Sequence, residues 1–182
     1  MAAAPAEQDV PGASEGGAAV GGVAALFAFR LDSCAVRAGV VNAVLAVFAS
    51  TLAAVLVDAF CLWRGVEVPV PAWIHFIRDP AAGAWSIARF VFLAVVVSPA
   101  LEECLFRRVI QCWLVRFFGV PLAVAATAVA FAALHLDPFS FVPLLAVSTL
   151  FSRAFLRGGL AASMLAHMLF NIAAILEAWL LA

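Results

Sequence analysis

Glu102 and Glu103 adjoin each other in the segment Ser98-Pro-Ala-Leu-Glu-Glu-Cys-Leu-Phe-Arg-Arg108, in the middle of a chain that is otherwise almost wholly apolar. A carboxylate at bilayer depth costs on the order of 3 kcal/mol or more, so such residues are retained where some chemistry needs them. Two further polar pieces lie in apolar surroundings, Phe131-Ala-Ala-Leu-His135 and His167-Met-Leu-Phe-Asn171. His167 and Asn171, four residues apart, share one helical face. A carboxylate can take a proton from water, while an imidazole or an amide can hold that water or donate to a developing oxyanion. Glu103, Arg107 and Gln111 recur at i, i+4 and i+8, one polar stripe on an apolar helix, and this stripe must face protein or water. Glu103 and Arg107 are spaced for an ion pair that fixes the helix carrying Glu102. The bland alternative is a buried ion-pair network of Glu102, Glu103 and Arg107 that only orders the bundle.

Other chemistries find less support. Glu102, His135 and His167 could supply three ligands to a divalent metal such as zinc, but no HExxH is present and the expectation is no cofactor. There is no GxSG-type nucleophile elbow, and Asp58 and Asp137 do not form an aspartyl pair. Cys34, Cys61, Cys104 and Cys112 show no CxxC spacing and read as small hydrophobes. The formal net charge of -1, with all ten basic residues Arg and no Lys run, excludes a nucleic-acid footprint.

The elements that must hold these groups are membrane helices. Hydrophobic residues make up 67% of the chain and charged ones 12%, and mean hydropathy is +1.15, which no soluble domain of 182 residues matches. A first span is expected from about Ala38 to Trp63 and a second from about Ala84 to Leu101. The Glu-Glu pair then opens a helix to Phe118. Gly119 and Pro121 end that helix, and a span follows from about Pro121 to Leu136. Asp137-Pro138 makes a turn, a shorter helix covers Phe141 to Leu156, Arg157-Gly158-Gly159 connects, and Leu160 to Ala182 is the last span. Trp63, Trp85, Trp113 and Trp179 fall near helix ends, as an aromatic belt requires. Residues 65–83, with Pro69, Pro71 and Pro80 around Trp73-Ile-His-Phe-Ile-Arg78, read as an interfacial connector rather than a span, and His75 there needs no special role. The fold class is thus all-α, a polytopic membrane bundle of about five to six helices. Residues 1–24, rich in Ala, Gly and Pro, read as a disordered N-terminal tail; 25–83 form a first span and connector; 84–182 form the polar-bearing bundle.

The three pieces Glu102-Glu-Cys-Leu-Phe-Arg107, Phe131-Ala-Ala-Leu-His135 and His167-Met-Leu-Phe-Asn171 resemble, in order, the motifs of the CAAX protease and bacteriocin-processing family, also called CPBP or Abi, from about Ala84 to the C-terminus. The resemblance implies a glutamate-dependent intramembrane endopeptidase. In it Glu102 would be the general base, His135 would help hold the water, and His167 and Asn171 would donate to the oxyanion, with Glu103 and Arg107 in support. The implied partners are the lipid bilayer and a membrane-associated peptide or protein substrate, and the implied location is multi-pass in a bacterial cytoplasmic membrane. Bacteriocin immunity or membrane scaffolding without cleavage is the alternative that the family also covers.

Overall fold

The computed structural model describes residues 30–180, so the expected tail of residues 1–24 lies outside the described residues. Every described element is a helix. Helix α1 (Ser33–Trp63) begins earlier than the expected Ala38 because Asp32 caps it, its carboxylate accepting the Ala35 N–H at 2.9 Å. The buried residues of its first half, Ala35, Ala38, Gly39, Asn42, Ala43 and Ala46, are small apart from Asn42. Apolar side chains gain little by leaving lipid for protein, and small ones let helix backbones approach closely instead. Beyond Ala46 the helix leaves its neighbours, and of residues 47–62 only Cys61 is buried.

A short helix, α2 (Ala72–Arg78), follows the Pro69–Pro71 stretch. The connector was expected simply to lie in the interface. It is also tied to the last described turn of helix, where Arg78 donates from Nε and Nη2 to the Ala178 carbonyl at 2.8 and 2.6 Å, and Ile77 is buried.

Helix α3 (Ala84–Leu134) does not break between Leu101 and Glu102, where the sequence suggested two separate helices. The path runs on through two stretches of π-helix, Leu93–Val97 and Cys104–Gln111, in which the hydrogen-bonded turn widens by one residue. It does reverse at Gly119, whose φ of 73° and ψ of 169° belong to a region essentially open to glycine alone. In a straight helix Phe106 and Phe131 would stand about 37 Å apart, yet their ring centroids are 5.1 Å apart. Helix α4 (Phe141–Leu180) folds back in the same way at Gly159, with φ 70° and ψ -167°. Phe151 and His167, which a straight helix would separate by about 24 Å, stack at 4.6 Å. Three apolar runs of helix, each long enough to cross a membrane, thereby supply α1 and two arms each of α3 and α4. Across the described residues the molecule is an all-helical integral membrane bundle.

Two seams join these rods. The first half of α1 packs on α4 around Ala35, Ala38, Ala43, Ala46, Ala154, Ala161, Ala162 and Ala166, with Val147 and Phe151 beside them. A Cβ on Gly158 would stand 2.8 Å from the Ala35 Cα, so the helices touch backbone to backbone there. The first arm of α3 meets α4 through polar groups. Arg107 Nη2 donates to Ser148 Oγ at 3.1 Å, and Ser152 Oγ donates to Gln111 Oε1 at 2.8 Å. The same offset of 41 residues in both bonds sets the first arms of α3 and α4 parallel and in register.

Candidate active site

The wide turns of α3 and the reversal of α4 bring most of the chemistry-bearing residues together. Glu103 is fully buried and lies between two cationic or hydrogen-bonding partners. Its Oε2 stands 3.1 Å from Arg107 Nε, close enough for Coulomb attraction though not aligned as a hydrogen bond, and its Oε1 lies 3.0 Å from His167 Nδ1. The carboxylate therefore orients the imidazole, as outer-shell carboxylates orient histidines in many sites. The other ring nitrogen, Nε2, faces Glu102 Oε2 at 3.9 Å.

Glu102 has two unlike oxygens. Oε1 accepts a hydrogen bond from Ser98 Oγ, one turn earlier on the same helix, while Oε2 is buried with no hydrogen-bond partner. An unpaired buried carboxylate oxygen is costly and is found where function requires it. Its separation from His167 Nε2 exceeds a direct hydrogen bond and matches the span that one water about 2.8 Å from each atom would bridge.

Asn171 lies one turn beyond His167, and its Nδ2 donates to the Ala94 carbonyl at 2.8 Å. His135 caps the second arm of α3 and uses Nδ1 on the Phe131 carbonyl at 2.8 Å, which leaves Nε2 for other partners. Phe131 links the two histidines, its centroid 4.8 Å from that of His135 and 5.9 Å from that of His167, and the Arg107 guanidinium carbon stands 5.5 Å from the same ring. Thus Glu102, Glu103, Arg107 and His167 form one contact cluster, Asn171 adjoins it along α4, and His135 reaches it across Phe131.

A cavity of about 740 Å³ opens beside this cluster. It is lined by His135, Asn171 and Ala94 together with Trp73, Phe90 and Phe170, but by neither Glu102 nor His167. Its wall includes Pro69–Trp73, so the connector bounds the site, a role the sequence did not suggest. Also missed were Ser98 as the partner of Glu102, and Ser148 and Ser152 as partners of the polar stripe. Ser98 carried a signal, its i, i+4 spacing from Glu102; a serine inside an apolar helix carries none. Glu102, His135 and His167, the side chains that would ligate zinc, are not gathered for it: among the described residues no group of three or more His, Cys, Asp or Glu is arranged to hold a metal ion.

A model of the Type II CAAX prenyl endopeptidase Rce1-like family matches residues 84–173. The chain belongs to this CAAX protease family. The match runs from the start of α3 past Asn171, so all three polar pieces of this CAAX protease family member lie within it, while α1 and α2 lie outside. Neither the curated proteins nor the solved structures yielded a match to the chain. Family membership makes the protein a membrane-embedded protease in the general sense, and membrane-associated substrates follow from that setting.

Proposed function

We propose that the protein is an intramembrane endopeptidase that cleaves a peptide bond of a membrane-associated protein or peptide with a water activated by Glu102, no metal taking part. The observation that carries this reading is the buried, unpartnered Oε2 of Glu102, facing His167 Nε2 at 3.9 Å in a cluster whose other carboxylate is engaged. A water at that oxygen gives up a proton to it and attacks the scissile carbonyl carbon, with His135 helping to hold the water. The carbonyl oxygen, now an oxyanion, lies within reach of donors on one face of α4. One N–H of Asn171 is occupied by Ala94, and the second is left to donate. In its doubly protonated form His167 pairs with Glu103 through Nδ1 and offers Nε2–H to the same oxygen. Such donors count most where water is scarce. The carbon–nitrogen bond then breaks, and the proton held by Glu102 passes to the leaving amine, so the carboxylate is regenerated.

Quantitative terminal proteomics on host membranes tests this, comparing wild type with Glu102→Gln at matched expression. Gln keeps the shape and removes the base. The expected result is a defined set of new termini that vanishes in the variant while the precursors accumulate. Identical termini in the two strains would refute the peptidase reading and leave binding without cleavage.

A further inference from the structure

Helix α3 leaves α-helical hydrogen bonding immediately before the glutamates, and the place where it does so is connected to both halves of the site. At the end of the Leu93–Val97 stretch the Ser98 N–H donates to the Leu93 carbonyl, five residues back. The next rung of this widened ladder would run from residue 99 to the Ala94 carbonyl. Residue 99 is proline, which has no N–H to donate. In a membrane helix a carbonyl freed by proline has to find another donor from a neighbouring helix or side chain. The donor here is Asn171, whose Nδ2 lies 2.8 Å from the Ala94 oxygen. Both departures are required: in an ordinary α-helix Pro99 would free the Val95 carbonyl, one residue away and on a different azimuth.

The consequence for Asn171 is an orientation. A carbonyl oxygen can only accept, so the amide end that meets it must be the NH2. The second N–H is then fixed in the plane of the amide, on a residue that lines the cavity. Without the anchor the amide is free to turn over and present its own oxygen to a developing negative charge. One residue before Pro99, the Ser98 hydroxyl holds Glu102 Oε1 and so selects Oε2 as the oxygen left for water. We propose that Ser98 and Pro99 are positioning residues of the site: Ser98 orients Glu102, and Pro99 orients Asn171 by leaving the Ala94 carbonyl to it. The kinetic part of this inference rests on the peptidase reading; the structural part does not.

The test uses the full chain in lipid nanodiscs, as wild type, Pro99→Ala, Asn171→Ala and the double variant. Alanine at 99 restores an N–H that competes for the Ala94 carbonyl. Thermal unfolding of the four chains is read first and needs no activity. Asn171→Ala is expected to lower the midpoint in the parent and to have little effect in the Pro99→Ala background, because the bond has already gone. Equal losses in both backgrounds would overturn the coupling. Initial rates are read second, on a substrate identified by its lost terminus. Pro99→Ala should lower kcat about tenfold at nearly unchanged KM, part of the 10²- to 10³-fold worth of one oxyanion donor, and should add nothing to Asn171→Ala. Ser98→Ala should likewise lower kcat, and Ser98→Thr, which keeps the hydroxyl, should restore it. Full kcat in Pro99→Ala would sink the positioning role while leaving the peptidase intact. Non-additive unfolding in a chain that cuts nothing would sink the peptidase reading alone.

Discussion

The two seams of α4 solve one problem by opposite means. Against α1 the contact is made mostly of alanine and glycine, with Gly39 and Gly158 so placed that an added Cβ would meet Leu165 Cδ2 at 2.9 Å and the Ala35 Cα at 2.8 Å across the seam. Against α3 it is made of Arg107, Gln111, Glu103 and their partners Ser148, Ser152 and His167. Neither seam can draw on the hydrophobic effect, since lipid is as apolar as leucine. One gains dispersion by proximity; the other gains hydrogen bonds, each modest because the unfolded chain in the membrane also finds partners. The apolar seam should therefore be sensitive to volume and the polar seam to loss of a partner.

The largest effect should come from Arg107→Leu. It leaves fully buried Glu103 with His167 as its remaining ion-pair partner, and breaking a buried ion pair on one side costs about 3–5 kcal/mol. Unfolding in mixed micelles with increasing dodecyl sulfate should show this loss, and a change within error would mean that the polar seam is not held by charge. Next comes Gly158→Ala, where the new methyl meets the Ala35 Cα at 2.8 Å and neither backbone can yield cheaply; overpacking of this kind costs about 1–3 kcal/mol. Gly119→Ala has open space around it, so any loss there must come from its φ of 73° alone, and the pair separates crowding from backbone strain. Should Gly158→Ala be neutral in the same titration, the backbone-to-backbone contact is not what holds α1. The smallest effect should be that of Ser152→Ala, which removes one neutral hydrogen bond to Gln111, about 0.6 kcal/mol in membrane proteins. A loss as large as that of Arg107→Leu would show that the seam acts as one cooperative network.

What the sequence disclosed about these seams follows from how local each cause is. Gly119 and Gly158-Gly159 were readable as breaks because a positive φ is a property of one residue. The stripe of Glu103, Arg107 and Gln111 was readable because its period belongs to one helix. That Glu103 would hold His167, 64 residues away, was not, because only the reversal at Gly159 brings the second arm of α4 to that level. The single helix from Ala84 through Glu103 was read as two, since a polar pair after Pro99 looks like a boundary when the groups that satisfy it lie on other rods. The connector gave no hint that it walls the cavity, for Pro69–Trp73 acts there through position rather than composition.

The second arm of α3 has a further consequence. Residues 120–134 make a rod about 22 Å long, while the hydrocarbon layer they enter is about 30 Å thick. A segment that falls short by this much is met by thinning of the bilayer, by flanking side chains reaching for the head groups, or by association with another chain. His135 stands at that end. Any water that a hydrolysis in this bundle consumed would have its shortest path where such a shortfall lies, so the length of this one arm bears on how the bilayer meets the site.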